Sequence, residues 1–138
     1  MDHAIEKINF NGINIGIENP IGSVREGTDN KGNAWKTKFF YPYGYIEGID
    51  GSDGDSLDCF IGPNETSDKV FIIYQSKADN TFDEHKIMLG FNTLQQARDA
   101  YLAHYSTQGF LGHIEEMPLF EFKERIKGLR CKDDKLSF

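Results

Sequence analysis

The sequence is poor in cysteine: Cys59 and Cys131 are the 2 thiols among 138 residues. Two cysteines so far apart carry neither a disulfide framework nor a zinc-binding spacing. Cys59, in the apolar run Cys59-Phe60-Ile61, reads as a small buried hydrophobe. Basic residues are outnumbered as well, with 15 Lys and Arg against 22 Asp and Glu and a formal net charge of −7. That balance argues against a nucleic-acid partner, because phosphate backbones are met mainly by clustered Lys and Arg. No apolar stretch approaches the roughly 18 residues of a membrane span. The opening Met1-Asp2-His3-Ala4-Ile5-Glu6 lacks the basic-then-apolar pattern of a signal peptide. The expected location is therefore the cytoplasm, with no membrane partner. A Walker loop, a dinucleotide-type glycine pattern, His-Glu-x-x-His and a nucleophile elbow are all missing, which removes the reactions those motifs serve. Internal repeats and low-complexity segments are missing too. The length suits one domain over residues 1–138, with the charged stretch from 132 to 138 as a frayed tail.

What the chain does have is a series of short strand signals. Residues 4–10 and 13–18 flank Asn11-Gly12, a strong hairpin signal, and the second run alternates with period two. Residues 18–23 break regularity, and Asp29-Asn30-Lys31-Gly32-Asn33 is a turn before the run 35–40, whose alternation puts Lys36 and Lys38 on one face. Val70-Phe71-Ile72-Ile73-Tyr74 reads as a central strand, and residues 84–89 pair back on it after a turn at 77–81. Then the period changes. Asn92 or Thr93 can cap a helix, with Gln96 completing a capping box and Leu94, Ala97, Tyr101, Leu102 and Tyr105 following at helical spacing. Pro118 suits the first turn of a second helix, with Leu119, Phe122 and Ile126 as its stripe and Gly128 as its stop. Strands followed by helices give an α+β domain, most simply a small β-barrel carrying one or two C-terminal helices. His85 and His104 read as surface or hydrogen-bonded core residues, and His113 as loop.

The densest chemistry lies in Asp53-Gly54-Asp55-Ser56-Leu57-Asp58, three carboxylates at i, i+2 and i+5. Oxygen-only ligands select hard cations, so the segment points to magnesium or manganese over zinc. On a strand Asp53 and Asp55 share a face, and Asp58 joins them only through a turn or bulge, for which Gly51 and Gly54 supply the freedom. An EF-hand is excluded, since no register starting at Asp50 or Asp53 puts glycine at position six and glutamate at position twelve. The competing reading is a solvated Asp/Gly-rich turn.

With Tyr41-Pro42-Tyr43-Gly44-Tyr45-Ile46 ahead of it, this run resembles the signature of the family I soluble inorganic pyrophosphatases. Ile17-Glu18-Asn19-Pro20, then Asp79 with Glu84-His85-Lys86, then His104-Tyr105 are similar to further elements of that family in the same order. The chain is closest in look to the compact pyrophosphatase-like domains of phage and mobile-element proteins. The resemblance implies a five-stranded barrel of the OB type with packed helices, and Mg2+-dependent hydrolysis of pyrophosphate, with Mn2+ as a substitute and a homo-oligomer as a common assembly. It implies Asp53 and Asp58 as metal ligands, Asp55 as the acceptor of the attacking water's proton, and Asp79 and Glu84 as further ligands, with Asp83 as their substitute and Glu18 near the site. Lys86 is implied to contact phosphate, as are Arg25 and either Lys36 or Lys38, while Tyr43 and Tyr105 donate hydroxyls. Tyr43 is assigned to the pocket and Tyr45 to the core.

Departures from the family are specific. Ser106 stands where the family has lysine, Glu84 where it has aspartate, and Lys36 or Lys38 where it has an arginine fork. Its early metal-linked glutamate has Glu26 as nearest counterpart. These departures leave two alternatives open: hydrolysis of another diphosphate or a nucleotide, and a non-catalytic binding domain.

Overall fold

The chain first turns back at Asn11 and Gly12, whose φ angles of 49° and 96° are the paired left-handed conformations of a tight hairpin. They join β1 (Glu6–Phe10) to β2 (Ile13–Asn19). A computed structural model describes residues 4–50, 56–77, 79–105 and 111–127. Asp53, Asp55, Ser106, Gly128, Cys131 and the tail from 132 to 138 lie outside the described residues. After β2 come β3 (Val24–Thr28) and β4 (Ala34–Lys38), then β5 (Tyr43–Asp50), β6 (Ser56–Ile61), β7 (Lys69–Ser76) and β8 (Phe82–Leu89). Helix α1 (Leu94–Leu102), β9 (Leu111–Pro118) and α2 (Leu119–Lys127) complete the described chain.

Seven strands form one sheet in the order β1-β2-β5-β6-β8-β7-β9, while β3 and β4 pair as a separate two-stranded arm. The pairing of β6 with β8 is parallel; the other described pairings are antiparallel. Each face of the large sheet has its own core. One is aliphatic, with Ile15, Ile46, Leu57, Ile72 and Ile87 closing against Phe122 and Ile126 of α2. The other is rich in aromatics, with Phe60, Phe71, Ile73 and Met88 closing against Ala97, Ala100 and Tyr101 of α1. Ile15, Ile72 and Ile87 are 0% exposed, and burying each such side chain contributes about 1.5–3 kcal/mol.

The sheet is not the five-stranded barrel expected from the sequence. Its edge strands β1 and β9 are not paired with each other among the described residues. The reason lies in α2: Phe10 and Ile13 of the β1–β2 edge share the aliphatic core with Met117 of β9 and with Phe122 of the helix. Lys123 Nζ also donates to the Asn11 carbonyl at 2.6 Å. A helix fills the gap that ladder hydrogen bonds would close in a barrel.

Several local expectations hold. Thr93 caps α1, its hydroxyl accepting from the Gln96 amide at 3.1 Å, and Gln96 Oε1 accepts from the Asn92 amide at 3.0 Å, one residue before the cap. Residues 70–74 lie in a strand flanked on both sides, and 84–89 pair antiparallel to it. Cys59 is fully buried. Two expectations need correction. Pro118 is the last residue of β9, with α2 beginning at Leu119, rather than part of that helix's first turn. His113 lies on β9 rather than in a loop, stacked on Tyr74 at 4.0 Å between ring centroids.

Candidate active site

The parallel register makes Asp58 of β6 and Lys86 of β8 direct partners. Side chains alternate along a strand, so Glu84 falls on the same face as Lys86. Lys86 is 4% exposed, and its ammonium donates to Tyr43 Oη at 2.6 Å and to Asp58 Oδ2 at 2.9 Å, and is ion-paired with Glu84. The Tyr43 hydroxyl in turn donates to Asp58 Oδ2 at 2.6 Å. One ammonium therefore holds two carboxylates and a phenol in place. The carboxylate side chains keep 24% and 25% exposure, enough to open onto solvent.

Charge in this cluster is set by burial and by opposite neighbours. Burial alone would lower the Lys86 pKa, but Tyr43, Tyr105, Asp58 and Glu84 around it outweigh that and hold the ammonium protonated well above the ordinary lysine value. Burial raises Tyr43 and Tyr105, so both phenols are neutral at physiological pH. Glu84 is raised by burial too, with Lys86 opposing the shift.

These groups line a cleft of about 840 Å³, together with Tyr105 just beyond α1 and with Arg25, Trp35, Lys36 and Thr37 of the β3–β4 arm. Two bonds extend the arm's ladder at its base, Gly22 N–H to the Phe39 carbonyl at 2.7 Å and Phe39 N–H to the Ser23 carbonyl at 2.9 Å. His104 ties this base to the body. Its Nε2 accepts the Phe40 amide at 3.0 Å, so the proton sits on Nδ1, which donates to the Ala100 carbonyl at 2.6 Å.

Burial lowers the His104 pKa from 6.5, against the weaker opposing effect of the Ala100 carbonyl. The neutral ring is the one that fits, so the folded state resists a proton that the unfolded chain accepts. Stability from this group is complete above pH 6.5 and declines as pH falls from there toward the lowered folded value. His104→Gln should remove that part of the acid-side decline, read as a flatter melting temperature between pH 7 and pH 5. A slope equal to that of the parent would assign the decline to other groups.

The family model of inorganic pyrophosphatases matches residues 2–127. The chain belongs to the inorganic pyrophosphatase family. No curated protein matches it.

Against the expectations for a pyrophosphatase-family chain, the fold gathers Tyr43, Asp58, Glu84, Lys86, Tyr105, Arg25 and Lys36 around one cleft. Lys38 is not among the lining residues; its Nζ lies 5.9 Å from the centre of the Phe40 ring. Asp79 Oδ1 accepts from the amide and hydroxyl of Thr81, serving its own turn. Asp83 accepts from Gln75 Nε2 at 2.9 Å, and Gln75 is held by the Tyr101 hydroxyl at 2.6 Å. Neither Asp79, Asp83 nor Glu18 lines the cleft. Tyr45 is not core: it shares a strand face with Tyr43, as residues two apart must, and leans across Gly16, where a Cβ would lie 2.6 Å from its ring.

Among the described residues, no group of three or more His, Cys, Asp and Glu could hold a metal ion. The donors that face the cleft, Asp58 and Glu84, are nevertheless the all-oxygen type that suits a hard cation, and Asp53 and Asp55 precede β6 directly in sequence. The donor chemistry fits Mg2+. No described helix is long and apolar enough to cross a membrane.

The sequence reading missed Trp35, Thr37, Gln75 and Phe39 as lining residues. Trp35 was detectable as the single tryptophan, in a run already carrying Lys36. Gln75 carries no signal of its own, since a lone amide near the end of a strand has no distinctive spacing.

Proposed function

We propose that the protein hydrolyses inorganic pyrophosphate to two phosphates with Mg2+ bound in this cleft, Mn2+ serving as a substitute. The observation that carries the reading is the Asp58–Lys86–Tyr43 triangle with Glu84 at its edge, in a chain of the pyrophosphatase family. Asp53, Asp58 and Glu84 would hold the metal, with Asp79, Asp83 and Glu18 as outer candidates. Bound divalent cations supply charge neutralisation for a highly anionic substrate and acidify water.

The chain's own groups do the rest. Asp55 accepts the proton of the water that attacks phosphorus. Lys86 presents its charge toward one phosphate, and Arg25 meets the substrate from the arm, with Lys36, on the arm's opposite face by alternation, as the second basic candidate among the lining residues. Lys38 is the alternative to Lys36 in that role. Tyr43 holds Asp58 in position through its hydroxyl, and Tyr105 offers a second phenolic donor beside Lys86. Two carboxylates against one ammonium leave the described cluster acidic, so the anion enters only with its cations.

Phosphate release from pyrophosphate, followed with and without added Mg2+, tests the reading. Metal-dependent turnover supports it, and no turnover at any Mg2+ or Mn2+ concentration overturns it.

A further inference from the structure

The arm side of the cleft is built for more than an anion. Trp35 is 43% exposed and sits across the arm from Gly27, its register partner. A Cβ on Gly27 would lie 2.8 Å from the indole Cζ2 and 3.0 Å from Cε2, so the ring is laid on the bare glycine backbone. Glycine at that position lets one side of the indole rest on the arm and leaves the rest of the ring to the cleft it lines.

Alternation along the arm places Arg25, Trp35 and Thr37 on one face, since Arg25 pairs with Thr37 and Gly27 with Trp35. A guanidinium, a hydroxyl and a flat aromatic surface thus lie side by side. The cleft of about 840 Å³ falls in the range of roughly 300–1,000 Å³ that holds drug-sized ligands, far more space than a small inorganic anion fills. A ligand that uses the whole of it has a phosphate end for Lys86 and Arg25 and an aromatic end for Trp35.

We infer that the cleft accepts organic diphosphates bearing an aromatic ring, a nucleoside 5′-diphosphate being the simplest class, with the base stacked on Trp35. The inference rests on the pyrophosphate reading for the phosphate end alone; the ring end rests on Trp35 and Gly27. Base–aromatic stacking tolerates any base because every base has a π-face, so the subsite selects for a ring and not for one nucleobase.

Because Trp35 is the single tryptophan of the chain, fluorescence excited at the red edge, where the indole absorbs and tyrosine does not, reports on this subsite. The α,β-methylene analogue of ADP, which is not cleaved at that linkage, is titrated in Mg2+ beside methylenediphosphonate, which has no ring. The expected result is saturable quenching by the nucleotide analogue, reversed by pyrophosphate, and little change with the ring-free compound. By calorimetry, Trp35→Leu should weaken the nucleotide analogue about tenfold or more while methylenediphosphonate changes by less than about threefold.

Equal quenching by the ring-free compound overturns the inference, as do absence of quenching, failure of pyrophosphate to compete, or an equal loss of both ligands in Trp35→Leu. Phosphate release from pyrophosphate, measured on the same preparation, separates the two readings. Turnover without nucleotide binding sinks the subsite alone. Nucleotide binding without turnover sinks the hydrolase alone.

Discussion

Lys86→Met should lose pyrophosphate turnover by about 10²–10³-fold, the effect of deleting one preorganised donor from a site where charge develops, and should also lower stability. The second loss follows from the same geometry. The ammonium is 4% exposed and satisfies Tyr43, Asp58 and Glu84 together. Removing one partner from a buried ion pair costs about 3–5 kcal/mol, and the partial exposure of both carboxylates puts this site near 3 kcal/mol, the lower end of that range. Urea denaturation measures the stability term and phosphate release the catalytic one. Lys86→Arg should recover stability better than turnover, because a planar fork cannot occupy the position of a compact ammonium with three donors. A Lys86→Met variant as stable and as active as the parent would remove the cluster from both roles.

Asp55→Asn separates catalysis from architecture more sharply. Asp55 is assigned the proton of the attacking water, and general-base groups contribute typically about 10²–10⁴-fold. The amide keeps an oxygen but cannot take the proton, so turnover should fall by that amount. Folding, and magnesium binding by calorimetry, should persist through Asp58 and Glu84. Because Asp58 holds both the Tyr43 hydroxyl and the Lys86 ammonium, Asp58→Asn would disturb structure and chemistry together, which makes it a poorer probe. If Asp55→Asn hydrolyses pyrophosphate like the parent, the base lies elsewhere.

Periodicity in the sequence locates the strands that carry a core. The hairpin at Asn11-Gly12, the strand at 70–74 and the cap at Thr93 each have a cause written in a few consecutive residues: a positive φ, an unbroken apolar run that is buried from Val70 to Ile73, and an orphan amide. What escaped has no such local cause. Strand β9 reads poorly because Gly112, His113, Glu115 and Glu116 break alternation, and it is held by pairing with β7. Strand β3 is mostly exposed and exists because β4 folds onto it. The barrel expectation fails for a related reason, since only tertiary contact shows that α2 reaches Asn11. Within the site, the strand-borne groups Asp58, Glu84 and Lys86 follow from alternation and order of motifs. The arm contributions of Trp35 and Thr37 do not, because they depend on where a separate hairpin comes to rest.

The parallel pairing of β6 with β8 also bears on how the molecule is made. Antiparallel neighbours such as β1 and β2 meet through a two-residue turn, whereas β6 and β8 meet only after the chain has run out along β7 and returned. Closing such a loop costs entropy before its contacts repay it. The Asp58–Lys86 register lies on this seam, so the cleft forms by a non-local step. A nascent or partly refolded chain can hold its first hairpin and still lack the cluster, and recovery of the ion pair, rather than of strand content, marks the arrival of the working molecule.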